Sequence, residues 1–159
     1  MRRPGIPRIA LAAAVTVLVG SLAACHHSDT TTAPGSLANV TVTGPGSVTS
    51  GQNFDVDVAA TAVGINNVQN GMVTVTVPAP LTILSTNASS GTNATVSGNT
   101  VTWNLGTLDS NSQSTLHVNL MGTLPAGSNA QSVAIQAQLT GTGINPGDAT
   151  ASTTVQINP

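Results

Sequence analysis

The side chains able to do chemistry are few and far apart. Cys25 is the single cysteine, His26 and His27 follow it directly, His117 is the remaining histidine, and Asp29, Asp55, Asp57, Asp109 and Asp148 are the only acids. Nucleophilic catalysis needs a nucleophile, a base and an orienting group within hydrogen-bond reach. Beyond the histidine pair the one candidate base is His117, set between Leu116 and Val118 in an alternating stretch that reads as a strand, where it is expected on the outward face. No catalytic residue is assigned. A zinc site closes with about four ligands, and His26 and His27 are adjacent, so they read as part of a solvated spacer. Asp55 and Asp57 sit two apart on a predicted strand and project from one face about 7 Å apart. Calcium takes roughly six to eight oxygens, so this pair would need loop carbonyls or Asp148 to hold a metal. The alternative is that the two charges keep the strand face from pairing with other sheets. There is no Gly-rich phosphate loop and no zinc-ligand spacing, so no cofactor is expected.

Charge excludes one class of partner. Arg2, Arg3 and Arg8 are the only basic residues besides histidine, and all precede Cys25. From Cys25 onward the side-chain charge is −5, with no Lys or Arg. Nucleic-acid binding draws its affinity from Lys and Arg neutralising phosphates, so that function is excluded for this part of the chain. Salt bridges to anionic head groups or acidic polysaccharide are disfavoured for the same reason.

The same three arginines form a positive leader. Ile9 to Val19 is an apolar, small-residue run broken only by Thr16, and Gly20-Ser21 precede Leu22-Ala23-Ala24-Cys25. This is the layout of a secretory signal, and the run is about half the ~20 apolar residues a membrane-spanning helix needs. Leu22, Ala23, Ala24 and Cys25 resemble the lipobox of bacterial lipoproteins at all four places. That resemblance implies cleavage between Ala24 and Cys25, a diacylglyceryl group on the Cys25 sulfur, and acylation of the new amine, which would remove an amino-terminal metal ligand beside His26. In that family an Asp after the cysteine favours the inner membrane; His26 stands there, which implies the outer membrane. Residues 1–24 are thus expected to be a signal peptide. The stretch 25–36 has no apolar period, ends in Pro34-Gly35-Ser36, and reads as a flexible tether.

Residues 37–159 suffice for one domain, rich in Thr and Val and devoid of Glu and Lys. Cβ-branching favours strands, and the pattern is alternation throughout. Leu37 to Thr43 forms a first strand, stopped by Gly44-Pro45-Gly46. Phe54, Val56 and Val58 alternate with Asp55, Asp57 and Ala59; Val73, Val75 and Val77 alternate with Thr74 and Thr76 until Pro78-Ala79-Pro80 removes amide donors. Leu81 to Thr86 is another strand. Gly98-Asn99 predicts a tight hairpin into Thr100 to Leu105, whose Val101, Trp103 and Leu105 share a face. Leu116, Val118 and Leu120, then Val133, Ile135, Ala137 and Leu139, then Ala151, Thr153, Val155 and Ile157, complete the set. The expected fold is all-β, an immunoglobulin-like antiparallel β-sandwich of about eight or nine strands. Trp103 belongs inside it rather than on a sugar-binding platform, since its neighbours in phase are apolar.

Four pieces in order, Ser50-Gly51-Gln52-Asn53-Phe54, Val77-Pro78-Ala79-Pro80-Leu81, Val101 through Leu108, and Asn145-Pro146-Gly147-Asp148, resemble the conserved repeat domain of bacterial surface proteins known as domain of unknown function eleven. More loosely the chain is similar to cohesin-like sandwiches. The resemblance implies an immunoglobulin-like module of envelope proteins without catalytic residues; Asp55 and Asp57 depart from it, standing where that family has Thr or Val. The isopeptide crosslink of some related sandwiches needs a Lys, which this chain lacks after Cys25. Asn39, Asn87 and Asn93 fit the glycosylation acceptor pattern, which a bacterial export signal makes silent. The function expected is a non-catalytic, lipid-anchored envelope module that contacts a structural or adhesion-type protein partner. The alternative is a small-ligand or glycan-binding lipoprotein. No small-molecule substrate is expected. Recognition would fall to the polar loops Gly64 to Asn70, Asn87 to Asn93 and Ser110 to Ser114.

Overall fold

A computed structural model describes residues 37–145, 147 and 149–159. Ten strands follow one another: β1 (Ala38–Thr43), β2 (Ser47–Thr49), β3 (Asn53–Ala62), β4 (Val68–Thr76), β5 (Leu81–Ala88), β6 (Thr95–Ser97), β7 (Thr100–Leu108), β8 (Gln113–Gly122), β9 (Gln131–Thr142) and β10 (Thr150–Asn158). They make a four-stranded sheet in the order β1-β3-β8-β5 and a six-stranded sheet in the order β2-β10-β9-β4-β7-β6. The fold is an all-β, immunoglobulin-like sandwich of two sheets.

The alternation dictates which face each strand buries. Val56, Val58 and Ala60 of β3, Leu116, Val118 and Leu120 of β8, and Val73 and Val75 of β4 are fully buried, as are Ile135, Val155 and Ile157. With one Phe and one Trp in the chain, methyl-bearing side chains fill most of the space between the sheets. Trp103 is the largest fully buried side chain. Among the described residues no buried side-chain nitrogen or oxygen lacks a partner, as a low-dielectric interior requires.

The structure departs from the sequence expectation at several places. β2 is an additional strand: the chain leaves the four-stranded sheet through Gly44-Pro45-Gly46 and pairs in parallel with β10, Val48 opposite Ile157. The sandwich is therefore not wholly antiparallel. A three-residue strand between two turn signals shows no measurable period, which is why alternation missed it.

β4 also begins at Val68, so the expected loop to Asn70 is shorter. Asn70 adopts a left-handed φ of 54°, and the register shifts between Val68 and Met72. This bulge lets Val68 and Val73 both point inward although five residues apart. Gly106, at φ 68°, faces Gly71 across the bulge and resets the phase of β7, so that Leu108 is buried where simple alternation would bury Thr107. β5 runs on to Ala88, β6 starts only at Thr95, and β8 starts at Gln113, shifting the other two expected loops to residues 89–94 and 109–112. Ser114, expected in a loop, is a buried strand residue.

Candidate functional site

Cys25, its cleavage partner Ala24, the pair His26 and His27, and Asp148 lie outside the described residues. The remaining candidates fall on the outward face of the four-stranded sheet and on the loops at one end; the outward face of the six-stranded sheet is a third surface.

On the outward face of the four-stranded sheet, Asp57 pairs across strands with His117, and Asp55 with Asn119. His117 is exposed, as expected, but it is not unpartnered. Its Nδ1 lies 2.5 Å from Asp57 Oδ1, with both side chains 52% exposed. Asn119 Nδ2 donates to Asp55 Oδ1 at 2.7 Å, and Gln113 Nε2 donates to Thr61 Oγ1 at 3.0 Å. Sixty residues separate His117 from Asp57, so only the β3–β8 register brings them together. The pairing fills acceptor positions that a cation would need. A side-chain contact this exposed contributes about 1 kcal/mol or less.

Among the described residues no three His, Cys, Asp or Glu side chains cluster around a point where a metal could sit. Two carboxylates already bonded to neighbours are a poor start for six to eight calcium oxygens. Millimolar calcium is expected to leave the melting temperature unmoved. A rise of several degrees that disappears in Asp55→Asn would show that the pair holds a metal.

The loops at the end where Leu37 enters the sandwich are tied down. Asn67 Nδ2 donates to Asp109 Oδ1 at 3.2 Å, while its Oδ1 accepts from the Ser110 amide at 2.8 Å. One side chain thus clamps the β3–β4 loop to the β7–β8 turn. The Ser90 hydroxyl of the β5–β6 loop lies 2.5 Å from the Ser114 hydroxyl of β8, and the Ser90 carbonyl accepts from Trp103 Nε1 at 2.9 Å. Gly91 follows at φ 77°, so close to β7 that a Cβ there would stand 2.5 Å from the Asn104 carbonyl oxygen. Only glycine satisfies both the left-handed backbone and that approach. The loops proposed for recognition thus bond to their own fold, although Ile65 at the β3–β4 tip remains 89% exposed.

The outward face of the six-stranded sheet is built differently. One row across it reads Ser152, Gln136, Thr76, Thr100, Ser97; the next reads Thr150, Gln138, Thr74, Thr102, Thr95. Neighbours in a row are about 4.8 Å apart and the rows about 7 Å apart, by strand geometry. No member of either row is charged or aromatic. On the opposite sheet Asp57 bonds His117 and Asp55 bonds Asn119, whereas in these two rows, among the described residues, Thr150 alone makes a side-chain hydrogen bond within the chain, to the Gly147 carbonyl at 3.5 Å. Elsewhere on this face Thr107 donates to Gln69 and Thr140 to the Met72 carbonyl. A groove of about 460 Å³ lies over β4, β9 and β10, lined by Thr74, Thr76, Gln136, Gln138, Thr150 and Ser152 with Ala137 and Ala151. Sequence reading missed this surface. Each strand showed its polar phase, but which polar residues become neighbours depends on strand order.

Three of the four sheet edges are blunted, β1 being the exception. β2 and β6, the edges of the six-stranded sheet, are three residues long, and β5 carries a register shift between Ile83 and Ser85 that leaves Leu84 exposed. Short and bulged edges discourage strand addition.

No family model matches the chain, and no curated protein matches it in sequence. Solved structures share its fold. The CARDB domain of a Pyrococcus furiosus protein, solved in complex with di-metal ions, superposes with a TM-score of 0.54 at 16% identity, over 78% of this chain and 90% of that one. A cohesin module from a family 33 glycoside hydrolase of Clostridium perfringens gives 0.54 at 16% identity, over 77% and 98%. The bacterial hydrophobin BslA gives 0.51 at 21% identity, over 80% and 99%. At such identities the likeness is one of fold.

Proposed function

We propose that this protein is a non-catalytic module of the bacterial cell envelope, held to the membrane by lipid on Cys25 and working by contact. The observation that carries the contact reading is the way its titratable groups are arranged: His117 and Asp57 bond each other, and Asp55 bonds Asn119, on an open sheet face in contact with water. A general base gains its power from a positioned substrate proton and a site that excludes water, and an exposed strand face supplies neither. The anchor reading is supported by Leu22-Ala23-Ala24-Cys25 after an arginine-led apolar run, and His26 after the cysteine supports the outer membrane as its destination. The fold shared with cohesin and CARDB modules fits a rigid sandwich whose surfaces do the work.

The test is turnover. The purified chain, assayed against ester, peptide and glycoside substrates, should show no hydrolysis above the rate seen with His117→Ala. Hydrolysis by the unaltered chain that His117→Ala abolishes would replace the contact reading with an enzymatic one.

A further inference from the structure

We infer that the outward face of the six-stranded sheet binds a neutral polysaccharide, seated in the groove over β4, β9 and β10. This rests on the contact reading above. If binding falls elsewhere, the ligand assignment fails and that reading stands.

Elsewhere the loops bond to their own framework, three of the four sheet edges are short or bulged, and the charged groups of the four-stranded face bond to its own side chains. The six-stranded face instead carries a grid of uncharged hydroxyl and amide side chains, of which, among the described residues, Thr150 alone is bonded within the chain, around a groove of about 460 Å³. Each Thr or Ser hydroxyl donates one hydrogen bond and accepts more, and each Gln amide does both through separate atoms. A neutral polysaccharide presents the matching chemistry: many hydroxyls, each donor and acceptor, and no charge.

Alternative occupants fit less well. Anionic chains need cations, and after Cys25 the chain has neither Lys nor Arg. Protein partners are gripped through Trp, Tyr and Arg anchors, which neither row contains. A second copy would set short polar side chains against themselves, whereas the core of a homodimer interface is about 65% apolar. An apolar small molecule wants mostly apolar walls, and those here are Thr, Ser and Gln. Without aromatic stacking, one glycan segment should bind weakly, on the order of a millimolar. Many anchored copies facing one polymer would convert that into firm attachment.

Native gels of the full chain in mild detergent test the inference, cast with laminarin, a β-linked glucan, with dextran, an α-linked glucan, or with anionic alginate. Retardation is expected with at least one neutral glucan and not with alginate. The double variant Gln136→Ala, Gln138→Ala removes two exposed amides and should weaken that interaction about tenfold. Thr76→Val, which exchanges one hydroxyl for a methyl, should weaken it about threefold. Asn119→Ala, on the opposite sheet, should leave it unchanged, with circular dichroism confirming the fold of each variant. Migration unaffected by both neutral glucans, retardation by alginate alone, or retardation that survives in the folded glutamine and threonine variants would each overturn the assignment.

Discussion

Trp103→Ala should cost the fold about 3 to 5 kcal/mol and lower the melting temperature by roughly 10 to 20 °C. Three effects add. The indole is fully buried and is the largest such side chain, so its removal loses transfer free energy and leaves a cavity that neighbouring methyls fill only in part. Its Nε1 donates to the Ser90 carbonyl at 2.9 Å, and the truncation deprives that carbonyl of its partner. Ser90 is also bonded to Ser114, so the crossing from β5 to β6, packed tightly at Gly91, loosens as well. Trp103→Phe separates the contributions. It retains most of the apolar volume and frees only the carbonyl, and should cost about 1 to 3 kcal/mol. Urea unfolding followed by far-ultraviolet circular dichroism measures both variants, since the replaced residue is the only tryptophan and its fluorescence is lost with it. A cost below about 1 kcal/mol for Trp103→Ala would show that the indole does not organise the core.

The inward position of Trp103 was legible from its phase with Val101 and Leu105, because burial on one face of a strand leaves a period of two in the sequence. The same signal gave Val56 and Val58, Leu116 through Leu120, and Val133 through Leu139. It stopped where the chain departs from ideal pleating. At Asn70 and Gly71 a bulge extends β4 beyond the point where alternation ends, and at Gly106 the phase of β7 slips by one. β2 was too short to display a period.

The pairing of Asp57 with His117 was illegible for another reason. Each residue's outward direction follows from its own strand, but their contact follows from the β3–β8 register, set by burial on both strands at once. The grid of Thr, Ser and Gln on the six-stranded sheet depends in the same way on the order β10-β9-β4-β7-β6, which brings residues 76 and 152 into one row. The polar loops stood out in composition, yet their Asn and Ser side chains serve the fold: Asn67 as a clamp between two loops, Ser90 and Ser114 as a bonded pair.

Loss of the lipid should have the largest effect of any single change, because everything proposed for the sandwich places it at a membrane. Cys25 is the only cysteine, so no second thiol can substitute for it. Each buried methylene contributes about 0.8 kcal/mol, and while one acyl chain holds a protein marginally, two or three hold it firmly. After Cys25 the chain offers no Lys or Arg to retain it on anionic lipid by charge. The measurement is fractionation of cells expressing the full chain or Cys25→Ser, followed by detergent extraction of the membranes. The unaltered chain should be recovered almost wholly in the detergent-extracted membrane pool. Cys25→Ser should leave that pool and accumulate as a soluble exported or uncleaved form. Retention of Cys25→Ser in the extracted membrane pool at the level of the unaltered chain would contradict the account.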